Sequence, residues 1–165
     1  LYKGYVGKLN DVTTPMLDNV MGSNRAHIDH ALDLAMASGK RRIGMIGLSF
    51  KAGTDDLRES PLVTVAERLI GKGFDLRIFD PEVNLSRLLG ANKRYIEHSI
   101  PHIGSLMVGE CATALEHAEV LVVGLATKAL LPGIVAGIRP DQIVVDLVGL
   151  PRGEFQCAAY HGVCW

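Results

Sequence analysis

From Arg41 onward, apolar residues fall into short unbroken runs, and the stretches between them carry apolar positions at helical spacing. Residues 43–50 (IGMIGLSF), 74–79 (FDLRIF), 119–125 (EVLVVGL) and 142–148 (QIVVDLV) read as strands. The first, third and fourth are almost wholly apolar, as expected of strands buried on both faces of a parallel sheet. A shorter candidate lies at 105–108, and the terminal GVCW, 162–165, reads as an edge strand. Helices are expected between them near 61–72, 84–89, 93–99, 111–117 and 130–138. This alternation, with right-handed crossovers, gives an α/β fold: a three-layer, doubly wound, mainly parallel Rossmann-like sheet of about six strands.

Ahead of the first strand, Leu17, Val20, Met21, Ile28, Ala31, Leu32, Ala35 and Met36 recur with helical period. Thr14 suits the cap, Pro15 the first helical position, where a missing N–H is harmless, and Gly39 the end. Unbroken, this helix would run about 36 Å at 1.5 Å per residue. Gly22-Ser23-Asn24 weakens its middle. Two readings stay open: a linker helix to a preceding domain, which the length favours, or an ordinary first helix. Residues 1–40 are accordingly taken as a linker region and 41–165 as the folded domain.

Composition sets the class. The chain has 165 residues and 17.8 kDa, 48% hydrophobic and 21% charged. A chain of this size buries about 70% of the surface its unfolded form exposes, so no metal or disulfide is needed to hold it. Seventeen basic against eighteen acidic residues leave a net charge of −1, which argues against nucleic acid or an anionic membrane as a partner. Three cysteines at spacings unlike any zinc pattern suggest a reducing, cytoplasmic setting. No uncharged run approaches the ~20 residues of a membrane span. The opening LYKGYVGKLN has no apolar signal core and starts without methionine, so the chain is expected to be a piece of something larger.

The chemistry concentrates in residues 50–61, FKAGTDDLRESP, which follow the first strand. In doubly wound sheets, ligands sit beyond the carboxyl ends of the strands, where strand order reverses. Two fixed cations, Lys51 and Arg58, lie there seven residues apart, Gly53 permits a tight turn, and Ser60-Pro61 opens a helix. Cations beside a helix N-terminus form an anion site, and a pyrophosphate is the natural occupant. Arg58 suits bidentate recognition and Lys51 a point charge. The plainer alternative is a solvated loop with Arg58 paired to Asp55, Asp56 or Glu59. Gly44, Gly47 and Gly53 do not make the G-x-G-x-x-G of a dinucleotide site. Asp80, where an acid would hold a ribose, is followed by Pro81 and reads as a turn cap. By itself this domain is not expected to hold NAD.

GLSFKAGTDDLRESP (residues 47–61) and IFDP (78–81) resemble the C-terminal domain of the nucleotide-sugar 6-dehydrogenases, the UDP-glucose/GDP-mannose dehydrogenase family. FDLRIFD, residues 90–109 (GANKRYIEHSIPHIGSLMVG), VVDLVGL and the terminal GVCW look like its GDP-mannose branch, known from alginate-producing bacteria. UDP-glucose enzymes carry Asp-Gly-Arg where this chain has Asp146-Leu147-Val148, a departure that disfavours the UDP-sugar branch.

The resemblance implies two Rossmann-like halves joined by a long helix, the absent N-terminal half carrying the NAD fingerprint. Carried over by motif, Lys51 contacts the nucleotide-sugar substrate, Phe50 offers its backbone to the phosphates, and Arg58 reaches across to the NAD pyrophosphate. The implied reaction takes a C6 alcohol to a carboxylate with two NAD⁺, through an aldehyde tethered to a cysteine thiolate so that it cannot escape. That cysteine belongs to a Gly-Gly-Ser-Cys motif this chain lacks, so no catalytic residue is expected here. Cys111, Cys157 and Cys164 read as packing or surface thiols. His27 and His30 share a helix face without a third ligand, so no metal site is expected. Tyr160, His161 and Trp165 read as edge packing. Self-association is expected through the long helix, with the chain's own N-terminal half and a nucleotide sugar as the other partners. Two alternatives remain: a UDP-sugar dehydrogenase domain, or a non-catalytic Rossmann-like binding or oligomerisation module.

Overall fold

A computed structural model describes residues 15–83 and 90–163. Thr14, the expected helix at 84–89, Cys164 and Trp165 lie outside the described residues, as do Tyr2 and Tyr5. Along the chain run α1 (Pro15–Met36), β1 (Arg42–Ile46), α2 (Pro61–Gly71), β2 (Asp75–Phe79), α3 (Gly90–Ser99), α4 (Ile103–Leu106), α5 (Cys111–His117), β3 (Val120–Val123), α6 (Leu131–Gly137), β4 (Ile143–Asp146), a 3₁₀ turn (Arg152–Glu154) and β5 (Ala159–Gly162).

The strands form a single parallel sheet in the order β2-β1-β3-β4-β5. Among the described residues there are five strands, against about six expected. The sequence 105–108 does not form one: Ile103–Leu106 closes a turn of helix, and only Met107 reaches the sheet, as a lone bridge to Ile78 beside β2. The terminal strand begins earlier than GVCW, at Ala159, and of the described residues of GVCW it includes Gly162 but not Val163.

Side chains alternate across the sheet with period two. Ile43, Met45, Val120, Val122 and Val145 face one layer, built from α1, α2 and α3. Ile46, Leu121, Val123 and Val144 face the other, where Ala114 and Leu115 of α5 and Ile134 of α6 close over them. Gly44 sits on this second face because α5 passes against the backbone there. A Cβ at Gly44 would lie 2.3 Å from the Ala114 carbonyl oxygen and 2.8 Å from the Ala118 methyl. Its role is packing, which explains a glycine outside any phosphate-binding spacing.

Helix α1 is continuous through Gly22-Ser23-Asn24. Its second half packs on the domain through Ala31, Leu32 and Ala35, and Asp29 pairs with Arg68 of α2. Its first half is exposed at Asn19, Val20 and from Gly22 to His27. Gly39, at φ +68°, ends the turn with its N–H on the Met36 carbonyl.

Candidate functional site

From β1 the chain passes to β2 on one side and then crosses back over β1 to β3 on the other, so the strand order reverses between β1 and β3. That is the switch point at which open α/β sheets bind ligands. The loop after β1 and the loop after β3 meet there. Gly47 N–H donates to the Phe79 carbonyl at 2.7 Å, and Gly124 N–H donates to that of Ile46 at 2.8 Å.

The loop after β1 is fixed at both ends and open in the middle. At its start the buried Asp80 carboxylate accepts the N–H groups of Leu48 and Ser49, each at 2.8 Å, and that of Glu82 at 3.0 Å. Asp80 therefore caps its own turn through Glu82, as its sequence context suggests, and with its other oxygen also caps the turn leaving β1. A dinucleotide fold keeps such amides for a pyrophosphate and such an acid for a ribose; here each satisfies the other. At the loop's end Ser60 is fully buried, donates to the Leu48 carbonyl at 2.8 Å and accepts from Leu62 N–H, capping α2. Leu57, also fully buried, pins the middle.

The stretch between these anchors projects outward. Lys51 is exposed and takes part in none of the ion pairs found among the described residues. Phe50 is 58% exposed, and its N–H, expected to face phosphate, instead donates to the Asp56 carbonyl at 2.8 Å. What Phe50 leaves for a ligand is its ring. Gly53, at φ +74°, supplies the expected turn. Arg58 is more than half exposed, and its guanidinium forks onto Asp56: Nε to Oδ1 at 2.9 Å, Nη2 to Oδ2 at 2.8 Å. This is one of the pairings expected for a solvated loop, in the geometry with which arginine also grips a phosphate. The bonded guanidinium, and more weakly Lys51, hold the Asp56 carboxyl below its ordinary range, while Asp56 raises the pKa of Arg58.

Asn92, at the start of α3, ties the loop down from outside. Its Oδ1 accepts Leu57 N–H at 2.9 Å and its Nδ2 donates to the Asp55 carbonyl. The sequence offers no sign of this contact, which joins an amide to backbone groups 35 and 37 positions away.

A second cluster lies at the end of β4. The fully buried Asp146 carboxylate accepts the N–H groups of Val148, Gly149 and Leu150 at 2.8, 2.9 and 2.6 Å, and the Tyr160 hydroxyl. Arg152 lies over the Tyr160 ring at 4.4 Å, and Phe155 leans on it at 5.9 Å. Tyr160 thus packs at the sheet edge as expected. A pocket of about 480 Å³ opens here, lined by Pro140, Arg152, Phe155, Gln156, Cys157 and Tyr160. It lies three strands from β1, roughly 14 Å across the sheet at 4.8 Å per strand. Its one cation is stacked on an aromatic ring, so the exposed cations after β1 make the better anion site. Burial raises the thiol pKa of both Cys111 and Cys157, which makes them poor nucleophiles. His27 and His30 stand exposed on α1; among the described residues no three His, Cys, Asp or Glu gather to hold a metal. No helix among them is long and apolar enough to cross a membrane.

Comparison with known proteins gives the family. The family model described as "UDP-glucose/GDP-mannose dehydrogenase family, UDP binding domain" matches residues 44–149. GDP-mannose 6-dehydrogenase of Pseudomonas aeruginosa is 46% identical over 155 residues, which cover 94% of this chain and 35% of that protein. The Azotobacter vinelandii enzyme of the same name is 41% identical over 164 residues, 98% of this chain and 36% of that protein. Among solved structures, a ternary complex of the P. aeruginosa GDP-mannose dehydrogenase superposes with a TM-score of 0.81 at 45% identity, covering 98% of this chain and 37% of that one. The chain thus spans about 35% of the length of the curated relatives it matches.

Proposed function

The chain belongs to the UDP-glucose/GDP-mannose dehydrogenase family, and from that premise we propose that it is the substrate-binding part of a GDP-mannose 6-dehydrogenase. In this reading residues 1–40 join residues 41–165 to a preceding NAD-binding half in the cytoplasm. The enzyme oxidises the sugar's C6 alcohol to a carboxylate. The observation that carries the reading is the exposure of Lys51 and Arg58 on one anchored loop at the switch point.

The cofactor NAD⁺, when bound, supplies the hydride acceptor. This chain contributes one residue to it. The amides of Leu48 and Ser49 are already taken by Asp80, so the turn after β1 has no dinucleotide seat of its own. Arg58, held by Asp56 through Nε and Nη2, turns its remaining guanidinium N–H groups to the cofactor's pyrophosphate from the outside. Lys51 neutralises the substrate diphosphate, and the ring of Phe50 covers it. Closing the cleft between two halves expels water, which strengthens both charge contacts. Val148, 39% exposed where the UDP-glucose enzymes have an arginine, favours the GDP-mannose branch over the UDP-sugar one. The exposed first half of α1 is the proposed face of self-association.

The test uses the chain and the full-length enzyme that carries it. The isolated chain with GDP-mannose and NAD⁺ produces no NADH. In the full-length enzyme Lys51→Ala raises KM for GDP-mannose about tenfold or more, the loss of a charge-assisted contact. Lys72→Ala, at the far end of α2 from the loop, changes nothing. Indistinguishable kinetics for the two lysine variants would remove the proposed role. Light scattering of the chain against a truncation starting at Lys40 reads the self-association.

A further inference from the structure

We propose that Asn92 is the positioning residue of Arg58, holding its loop in the conformation that meets the cofactor pyrophosphate. The inference rests on the reading of Arg58 given above. The geometry is a relay through one residue. Asn92 accepts from Leu57 N–H at 2.9 Å and donates to the Asp55 carbonyl, so it grips the backbone on both sides of Asp56. Asp56 in turn binds Arg58 through three bonds: backbone N–H at 3.1 Å, Nε at 2.9 Å and Nη2 at 2.8 Å. Its carbonyl also takes Phe50 N–H, next to Lys51. The Asp56 position therefore sets where Arg58 stands, and Asn92, carried on a separate helix, sets Asp56.

The other bonds in this stretch are local to the loop: Asp56 N–H donates to Thr54 Oγ1 at 2.9 Å and Ser49 Oγ to the Lys51 carbonyl at 3.3 Å. Residues 51–53, 55, 58 and 59 are exposed, and Leu57 alone in it is buried. Without the amide clasp, a ligand would have to order the loop and the long arginine side chain as it binds, and that cost appears as weaker affinity. Asparagine is a mediocre residue inside a helix, since its side chain competes for backbone bonds. At Asn92 those bonds are spent on the neighbouring loop instead. Asn92 touches neither the substrate nor the reacting carbon in this reading, so its loss should act on cofactor affinity and spare the chemical step.

The experiment compares Asn92→Ala, Asn92→Asp, Arg58→Ala and the Asn92→Ala/Arg58→Ala pair in the full-length enzyme. Asn92→Ala is expected to raise KM for NAD⁺ about five- to tenfold with kcat within about twofold, as the loss of two hydrogen bonds implies. Asn92→Asp, which keeps the acceptor for Leu57 but loses the donor for Asp55, falls between parent and alanine. In the Arg58→Ala background, Asn92→Ala adds less than about twofold, the non-additivity of residues that act through one another. An unchanged KM in Asn92→Ala while Arg58→Ala raises it overturns the role of Asn92 and leaves that of Arg58 standing. A full Asn92 effect in the Arg58→Ala background overturns it as well. An Arg58→Ala enzyme with parental KM removes the reading beneath it, and this inference with it. Alanine favours the helix, so α3 is not at risk; should Asn92→Ala fail to accumulate, Asn92→Ser is judged on the same criteria.

Discussion

The Asp80 carboxylate accepts the backbone N–H of Ser49, 31 residues earlier in the chain, at 2.8 Å, and the same oxygen takes that of Leu48 at 2.8 Å. One buried acid thereby joins the ends of two neighbouring strands and fixes the direction in which the cation loop departs. Asp80→Ala leaves three amides without this partner, those of Leu48 and Ser49 in a buried site, and should cost about 2–3 kcal/mol. Urea unfolding of the chain measures it. A loss below about 0.5 kcal/mol would mean that water or a backbone shift replaces the carboxylate.

Legibility tracked periodicity. The span of α5 was read to the residue, and the four main strands were found, because burial on both faces leaves an unbroken apolar run. Those runs extend past the strand ends because Leu48 and Leu125 are buried in the loops that follow, and apolar character does not distinguish a buried loop from a strand. The candidate at 105–108 failed for the same reason: Leu106 and Met107 are half-buried against the first core layer, one from a helical turn and one from a single bridge. The cations were legible because charge in a loop after an apolar run is visible in the sequence. Asn92, and the bond from Tyr160 to Asp146, were not. Each joins one side chain to groups distant in the chain and leaves no repeating trace.

Glu59 sits at φ +58°, in the left-handed region, between Arg58 and the buried Ser60. The turn demands it: Ser60 N–H returns to the Leu57 carbonyl at 3.2 Å to close the loop onto α2. A side chain there costs about 1–2 kcal/mol that glycine avoids, partly offset by glycine's greater freedom when unfolded. Glu59→Gly should therefore gain about 0.5–1 kcal/mol, and Glu59→Val, branched at Cβ, should lose more than about 1 kcal/mol. Denaturant midpoints of the two variants decide it. A destabilised glycine variant would show that the Glu59 side chain supplies more than its backbone costs.

Tyr160 and Asp146 make the stability of the β4–β5 edge sensitive to alkali. Burial raises the phenol's pKa first, and its hydrogen bond to Asp146 adds to this, while Arg152 over the ring works the other way. A folded-state pKa above the unfolded one stabilises the fold below the ordinary phenol value of about 10, and that contribution fades as pH rises from there through the folded value. Tyr160→Phe keeps the ring against Arg152 and Phe155 and leaves Asp146 its three backbone N–H partners, so it should cost only about 1 kcal/mol at neutral pH. The gap between parent and variant should then narrow as pH climbs past about 10, because the parent alone must give up a bound proton's worth of stability. Urea midpoints for both proteins at neutral and alkaline pH test this. Curves that stay parallel would mean that neither burial nor Asp146 makes the folded protein hold the phenol's proton more firmly than the unfolded chain does.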